Sequence, residues 1–162
     1  MTIKVGDKIP ACNTLRVFGE KGPQAITTAE LFDGKKVVLF AVPGAFTPGC
    51  SKSHLPGFVV HADAIKAKGV QSIICVAVND AFVMHAWGVA QNAEHLIMLA
   101  DGSAEWARAM GLELDLLDKG MGVRFKRMAM VVDKGVVTFM AIEPPGGAGI
   151  VESSAEAILK VL

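Results

Sequence analysis

Cysteine is scarce in this chain. Only Cys12, Cys50 and Cys75 occur among 162 residues, too few and too scattered for a disulfide framework. No Cys-x-x-Cys is present, which excludes a zinc knuckle or a thioredoxin-type dithiol written locally. The four histidines, His54, His61, His85 and His95, form no His-Glu-x-x-His pattern, so no metal is expected. Neither sign of charge is in excess: 16 Lys and Arg balance 16 Asp and Glu, which argues against a nucleic-acid partner. Apolar residues make up 52% of the chain, yet their runs reach only about six residues, short of the ~18 that a membrane span needs. Met1–Lys8 lacks the apolar h-region of a secretory signal, so a cytoplasmic location is expected. There is no Gly-x-Gly-x-x-Gly and no phosphate loop. Gly146–Gly149, which follows Glu143-Pro144-Pro145, reads as a flexible connection rather than an anion cradle. No linker or repeat divides the sequence, and its length fits one domain, 1–162, with its own core.

What is present is a succession of short apolar runs and punctuating turns. Val37–Val42 is continuously apolar, as in a strand covered on both faces. Pro43, Gly44, Pro48 and Gly49 end it, and a helix is expected from about 50 to 67. A strand at 71–78 follows, then a helix from Asn79-Asp80 to about Gln91, a short strand Leu96–Leu99 and a small helix Ala104–Met110. The stretch beyond, rich in Leu, Asp and Gly, reads as irregular. Upstream lie short strands around Thr14–Val17, a turn at Gly19–Pro23, and Thr27-x-x-Glu30, a capping-box spacing that opens a short helix through Leu31 and Phe32. Arg127–Val132 and Val136–Ala141 flank Asp133-Lys134-Gly135, a hairpin signal, and a last helix runs from Ser153 to Val161. This order predicts an α/β, thioredoxin-like fold: a central mixed β-sheet with helices on both faces and an N-terminal extension. Ligands of such sheets bind at the carboxyl ends of the parallel strands, where Cys50 falls.

Cys50 stands between a strand and a helix, among Gly, Ser and Lys rather than in a core stripe. In the first turn of a helix a thiol meets unpaired N–H groups and the positive end of the macrodipole, and both favour the thiolate. Thr47, three residues earlier, brings a hydroxyl that donates and accepts. Cys75 lies inside an apolar strand, three residues short of its end, hence about 10 Å below the rim at ~3.3 Å per residue and beyond disulfide reach of Cys50. Cys12, in an N-terminal loop or edge, has no reason to approach Cys50. His54 follows Cys50 by four residues and would share its helix face. That spacing suits a base for the thiol, but a packed histidine is the commoner outcome and Pro56 disturbs the helix. Arg124-Phe-Lys126-Arg127 offers a guanidinium whose planar fork fits a thiolate and an oxygen substrate, and spacing does not choose between Arg124 and Arg127.

Pro43-Gly-Ala-Phe-Thr47-Pro-Gly-Cys50-Ser-x-x-His54-Leu-Pro-Gly-Phe58 resembles the active-site signature of the peroxiredoxins, type II or fifth subfamily. The Pro-x-x-x-Thr-x-x-Cys core is joined by His-Leu-Pro-Gly-Phe, and Ile3–Pro10, Gly34–Phe40, Val76–Phe82 and Met121–Val132 extend the likeness along most of the chain. The resemblance implies a thioredoxin-fold thiol peroxidase that reduces hydrogen peroxide and organic hydroperoxides, with Cys50 as the peroxidatic cysteine and Thr47 as its hydroxyl partner. It also implies Arg127 as the catalytic arginine, with Pro43 and Gly49 lining the substrate pocket. No cofactor or prosthetic group is needed beyond an external thiol reductant. Some relatives carry a resolving cysteine before the last helix, whereas Glu143–Ser154 here contains none. The sulfenic acid is therefore expected to meet an external thiol, glutathione with glutaredoxin first and thioredoxin as the rival. A homodimer is implied as well, with Phe46 and Phe82 suited to its contact. Two competing readings use the same thiol: a peroxide sensor or chaperone-like protein that reacts once, and a glutathione-dependent disulfide exchanger. The absence of a second active-site cysteine and the presence of Thr47 disfavour the exchanger.

Overall fold

Apolar runs rich in β-branched and aliphatic residues, each only four to seven long, build five strands of the sheet, Lys36–Ala41, Ser72–Ala77, Ile97–Ala100, Met128–Asp133 and Val136–Ile142. The structure is a computed structural model and describes residues 2–144 and 150–162; the glycine-rich stretch 146–149 lies outside them. Its strands are β1 (Arg16–Gly19), β2 (Gly22–Ala25), β3 (Lys36–Ala41), β4 (Ser72–Ala77), β5 (Ile97–Ala100), β6 (Glu113–Leu116), β7 (Gly122–Phe125), β8 (Met128–Asp133) and β9 (Val136–Ile142). The α-helices are α1 (Thr28–Phe32), α2 (Leu55–Lys66), α3 (Ala81–Ala90), α4 (Glu105–Met110) and α5 (Ala155–Val161). Seven strands form one mixed sheet in the order β2-β1-β5-β4-β3-β8-β9, with β5, β4 and β3 parallel and the others antiparallel.

Alternation along the central strands divides the core into two layers. Val38, Phe40, Ile73, Cys75 and Ala77 pack under α2, α3 and α5, together with Phe58, Trp87 and Ile158. Val37, Leu39, Ala41, Ile74 and Val76 pack on the other face with α1 and α4, against Phe32 and Trp106. The thioredoxin-like arrangement with helices on both faces is therefore the observed fold. Local chemistry sets the boundaries. Thr27 accepts the Glu30 N–H at 3.1 Å, and Asp80 accepts the Val83 N–H at 2.8 Å, each opening a helix. Lys134 (φ 51°) and Gly135 (φ 82°) make the two-residue turn between β8 and β9, with both residues left-handed as a type I′ turn demands.

Three sequence expectations are corrected. The first strand begins at Arg16 rather than Thr14, and its hairpin turn falls inside the expected one. The stretch after α4 is not irregular: β6 and β7 pair as a separate two-stranded sheet, Glu113 opposite Phe125. The helix expected from residue 50 opens with a π-helical turn, Cys50–His54, in which the Leu55 N–H reaches back five residues to the Cys50 carbonyl. Pro56 gives the physical reason. It has no N–H to return to Lys52, and its ring crowds that carbonyl, so the turn widens ahead of it.

Candidate active site

The site lies where β3 ends. Val42 still donates to the Val76 carbonyl at 3.1 Å, and the chain then leaves the sheet through residues 43–49. This loop is pinned from two sides. Asn79, two residues past the end of β4, accepts the Ala45 N–H at 2.9 Å, and Arg124 donates to the Pro43 carbonyl at 3.2 Å. Thr47 closes a tight turn, its hydroxyl donating to the Gly44 carbonyl at 2.7 Å. Phe46 takes φ 64° inside that turn, a conformation uncommon for a bulky residue, and remains exposed. The Thr47 carbonyl accepts the Ser51 N–H at 2.9 Å, so Cys50 sits in the first helical turn as expected.

The surroundings of Cys50 differ from that expectation. It has no exposed surface and belongs to the apolar cluster of Phe40, Phe58 and Trp87. Its polar neighbour is Arg127, whose Nη2 donates to Sγ at 3.1 Å and sets a fixed positive charge against the sulfur. The fold explains this meeting. Met128, the first residue of β8, pairs with Ala41, the last of β3, so Arg127 emerges at the carboxyl end of β3 beside the Cys50 loop. Spacing left Arg124 and Arg127 open. The structure gives them different tasks, Arg127 on the sulfur and Arg124 on the Met121 and Pro43 carbonyls. Gly49 has no Cβ, and one placed there would lie 3.2 Å from Arg127 Nη2.

His54 is buried and carries two bonds. Nε2 lies 2.8 Å from the Ser153 carbonyl, and Nδ1 lies 3.0 Å from Arg127 Nη1. A carbonyl only accepts and a guanidinium only donates, so Nε2 carries the proton and Nδ1 offers its lone pair. Burial lowers its pKa from 6.5 to about 4, with the Arg127 charge acting in the same direction against the Ser153 bond and Glu143, so the ring is neutral. Its rings of contact are Phe40 and Phe58, at centroid distances of 5.0 and 5.6 Å. Nothing links it directly to the thiol, and a role as the base for Cys50 is not what the geometry offers.

Sequence reasoning missed two participants. Asn79 reads as a helix start, yet the neighbouring Asp80 caps the helix and Asn79 holds the loop. Glu143 accepts from the Ser153 N–H at 2.7 Å, the Ser153 hydroxyl at 2.6 Å, and the N–H groups of Val151 and Glu152. Partial burial opposes its charge, but these bonds outweigh burial and lower its pKa. A lone acid between a strand and two prolines carries no sequence signal of such a task. Cys75 sits within β4 opposite Phe40, where burial pushes its thiol well above the ordinary range, further raised by Cys50 and only partly offset by Arg127. All three cysteines are free and buried. Among the described residues no group of three His, Cys, Asp or Glu side chains could hold a metal ion, and no helix is long and apolar enough to cross a membrane.

Comparison with known proteins follows the same lines. The redoxin family model matches residues 4–159. Peroxiredoxin-2D of Arabidopsis thaliana is 48% identical over 162 residues, covering 99% of this chain and 98% of the relative. Among solved structures, reduced Prx3 of Vibrio vulnificus in complex with hydrogen peroxide is 51% identical with a TM-score of 0.93, over 99% of each chain. A Burkholderia cenocepacia structure described as a putative thioredoxin reductase is 45% identical with a TM-score of 0.94, over 100% of this chain and 99% of that one.

Proposed function

We infer the catalytic cycle from one premise: the chain belongs to the redoxin family as a peroxiredoxin of the type II subfamily, and is a thiol peroxidase. Cys50 is the nucleophile, and the observation that carries this reading is the 3.1 Å bond from Arg127 Nη2 to its sulfur. A sulfur lone pair attacks the nearer oxygen of hydrogen peroxide or an alkyl hydroperoxide. The S–O bond forms as the O–O bond breaks, and the distal oxygen leaves as hydroxide or alkoxide and takes a proton to become water or an alcohol. Sulfur loses two electrons and the peroxide gains them, leaving Cys50 as a sulfenic acid.

Arg127 stabilises the charge that moves from sulfur to the leaving oxygen, with the Cys50 backbone N–H as a second donor. The Thr47 proton is engaged by the Gly44 carbonyl, so the hydroxyl serves the peroxide through its lone pairs, accepting the O–H and orienting it for in-line attack. Pro43 and Gly49 line the entry. A buried thiol requires the peroxide to enter by displacing that lining, which keeps bulk water from the reacting pair. The relative crystallised with hydrogen peroxide supports this substrate class.

Recycling proceeds by a one-cysteine route. Cys75 is confined to the sheet interior, and Glu143–Ser154 contains no cysteine. Glutathione therefore attacks the sulfenic sulfur, releasing water and leaving a mixed disulfide that glutaredoxin reduces; thioredoxin is the competing reductant. The protein works as a homodimer, for which Phe46 and Phe82 are both exposed near the strand ends that carry the site. Steady-state peroxide consumption, run in parallel with glutathione and glutaredoxin and with a thioredoxin system, tests the cycle. Many turnovers per Cys50 with the glutathione system support it, and consumption of one equivalent under both systems indicates a stoichiometric sensor instead.

A further inference from the structure

The hydrogen bonds around Arg127 close on themselves. Its Nη1 donates to His54, His54 donates to the Ser153 carbonyl, and Ser153 donates its N–H and hydroxyl to Glu143. The Glu143 N–H then returns to the Arg127 carbonyl at 2.9 Å. Every buried side-chain polar atom among the described residues has a partner, so this ring is fully satisfied, the condition under which a buried polar network fixes one geometry. The only two ion pairs among the described residues are Lys4 with Asp7 and His61 with Glu156, so no carboxylate lies within ion-pair distance of Arg127.

The choice of acceptor has an electrostatic consequence. A guanidinium needs acceptors to hold its plane, and a carboxylate is its usual one. A carboxylate at 3 Å would also cancel much of the charge that the reacting sulfur and oxygens need, since unit charges about 4 Å apart interact by several kcal/mol at protein dielectric. A neutral imidazole lone pair orients the fork and leaves its charge intact. We propose that His54 is a positioning residue for the peroxidase reaction, a neutral acceptor that aims Arg127 at Cys50 without cancelling its charge, with its proton placed by the Ser153 carbonyl. This rests on the reading of Arg127 given above. It also assigns the segment before α5 a task other than supplying a resolving cysteine: it fixes the tautomer of the residue that holds the arginine.

A double-mutant cycle on the full chain tests this, read as the stopped-flow rate at which reduced enzyme consumes one equivalent of hydrogen peroxide. His54→Leu removes the acceptor and is expected to slow the reaction by about 100-fold, the loss typical of a displaced charge-stabilising donor. His54→Asn puts an amide oxygen where Nδ1 stood and is expected to stay within about tenfold of the parent, a rescue that a purely structural role does not give. In an Arg127→Lys background, His54→Leu is expected to cost less than about threefold more, because its effect runs through the guanidinium. Should His54→Leu not fold, His54→Gln replaces it, since its longer side chain carries the acceptor away from the Nδ1 position, and it is expected to be as slow. Losses that add in the double variant, His54→Asn as slow as His54→Leu, or removal of the acceptor at the parental rate each overturn the assignment. If Arg127→Lys alone keeps the parental rate, the role of Arg127 fails and His54 with it. If Arg127→Lys is slow and the His54 variants are not, only the positioning role fails.

Discussion

Gly49 has helical dihedrals, φ −64° and ψ −38°, so an alanine there meets no backbone strain. Gly49→Ala should hold or raise stability by about 0.4–1 kcal/mol through the unfolded chain. Its methyl would nevertheless sit 3.2 Å from Arg127 Nη2 and push the guanidinium from the sulfur. The expected outcome is an unchanged or higher thermal midpoint with a peroxide rate lowered by about tenfold, checked by calorimetry and stopped flow on one preparation. Thr47 makes a second contrast. Thr47→Val loses the 2.7 Å bond to Gly44 and the lone pairs offered to peroxide, whereas Thr47→Ser keeps both. The valine variant should lose about 1 kcal/mol and react at least tenfold more slowly, with serine near the parent. A valine variant that forms sulfenic acid at the parental rate would remove Thr47 from the site. Cys50 and Thr47 were readable from the sequence because a loop between a buried strand and a helix brings them together locally. Arg127 was separable from Arg124 only by resemblance, since the pairing that decides between them, Met128 with Ala41, joins residues far apart in the chain.

At the scale of elements, the π turn Cys50–His54 sets the phase between the thiol and the imidazole. In a regular α-helix these residues, four apart, would share one face; the wider turn leaves one on Arg127 Nη2 and the other on Nη1. Pro56→Ala restores an N–H and permits the α pattern. We expect the thermal midpoint to hold or rise while the peroxide rate falls by about tenfold, and an unchanged rate would show that the π turn is incidental. The segment before α5 offers a second test. Glu143→Ala frees four donors on residues 151–153, and hydrogen exchange there should speed up together with a slower reaction at Cys50. Strands β3, β4, β8 and β9 were readable because their apolar runs are long and their hairpin turn carries glycine. The pair β6 and β7 was not, because Glu-Leu-Asp-Leu alternates over only four residues and its partner opens with Gly122. The burial of Cys50 escaped notice for a related reason: Gly, Ser and Lys beside it in sequence say nothing of Phe40, Phe58 and Trp87, which wall it in space.

For the whole molecule, the buried ring of bonds couples stability to pH. The folded pKa of His54, about 4, lies below its ordinary 6.5, so between these values the unfolded chain binds the proton that the folded one refuses. The stabilisation is complete above pH 6.5 and is lost as the pH falls to about 4, a loss on the order of 3 kcal/mol at 1.36 kcal/mol per unit. Glu143, held low, adds a loss of the same sign below its ordinary value of 4.5, while Asp101, raised by burial, acts in the opposite direction. Urea midpoints at pH 7 and pH 4 should therefore fall more steeply for the parent than for His54→Asn, and parallel curves would remove His54 as the cause. The central claim, that Cys50 works alone within its chain, is tested most directly by mapping the protein after one equivalent of hydrogen peroxide without reductant. Dimedone should trap a Cys50 sulfenic acid in nearly every chain, and glutathione added instead should give a mixed disulfide at Cys50 alone. A dominant Cys50–Cys75 or Cys12–Cys50 peptide pair within one chain, found by non-reducing mass spectrometry, would contradict it.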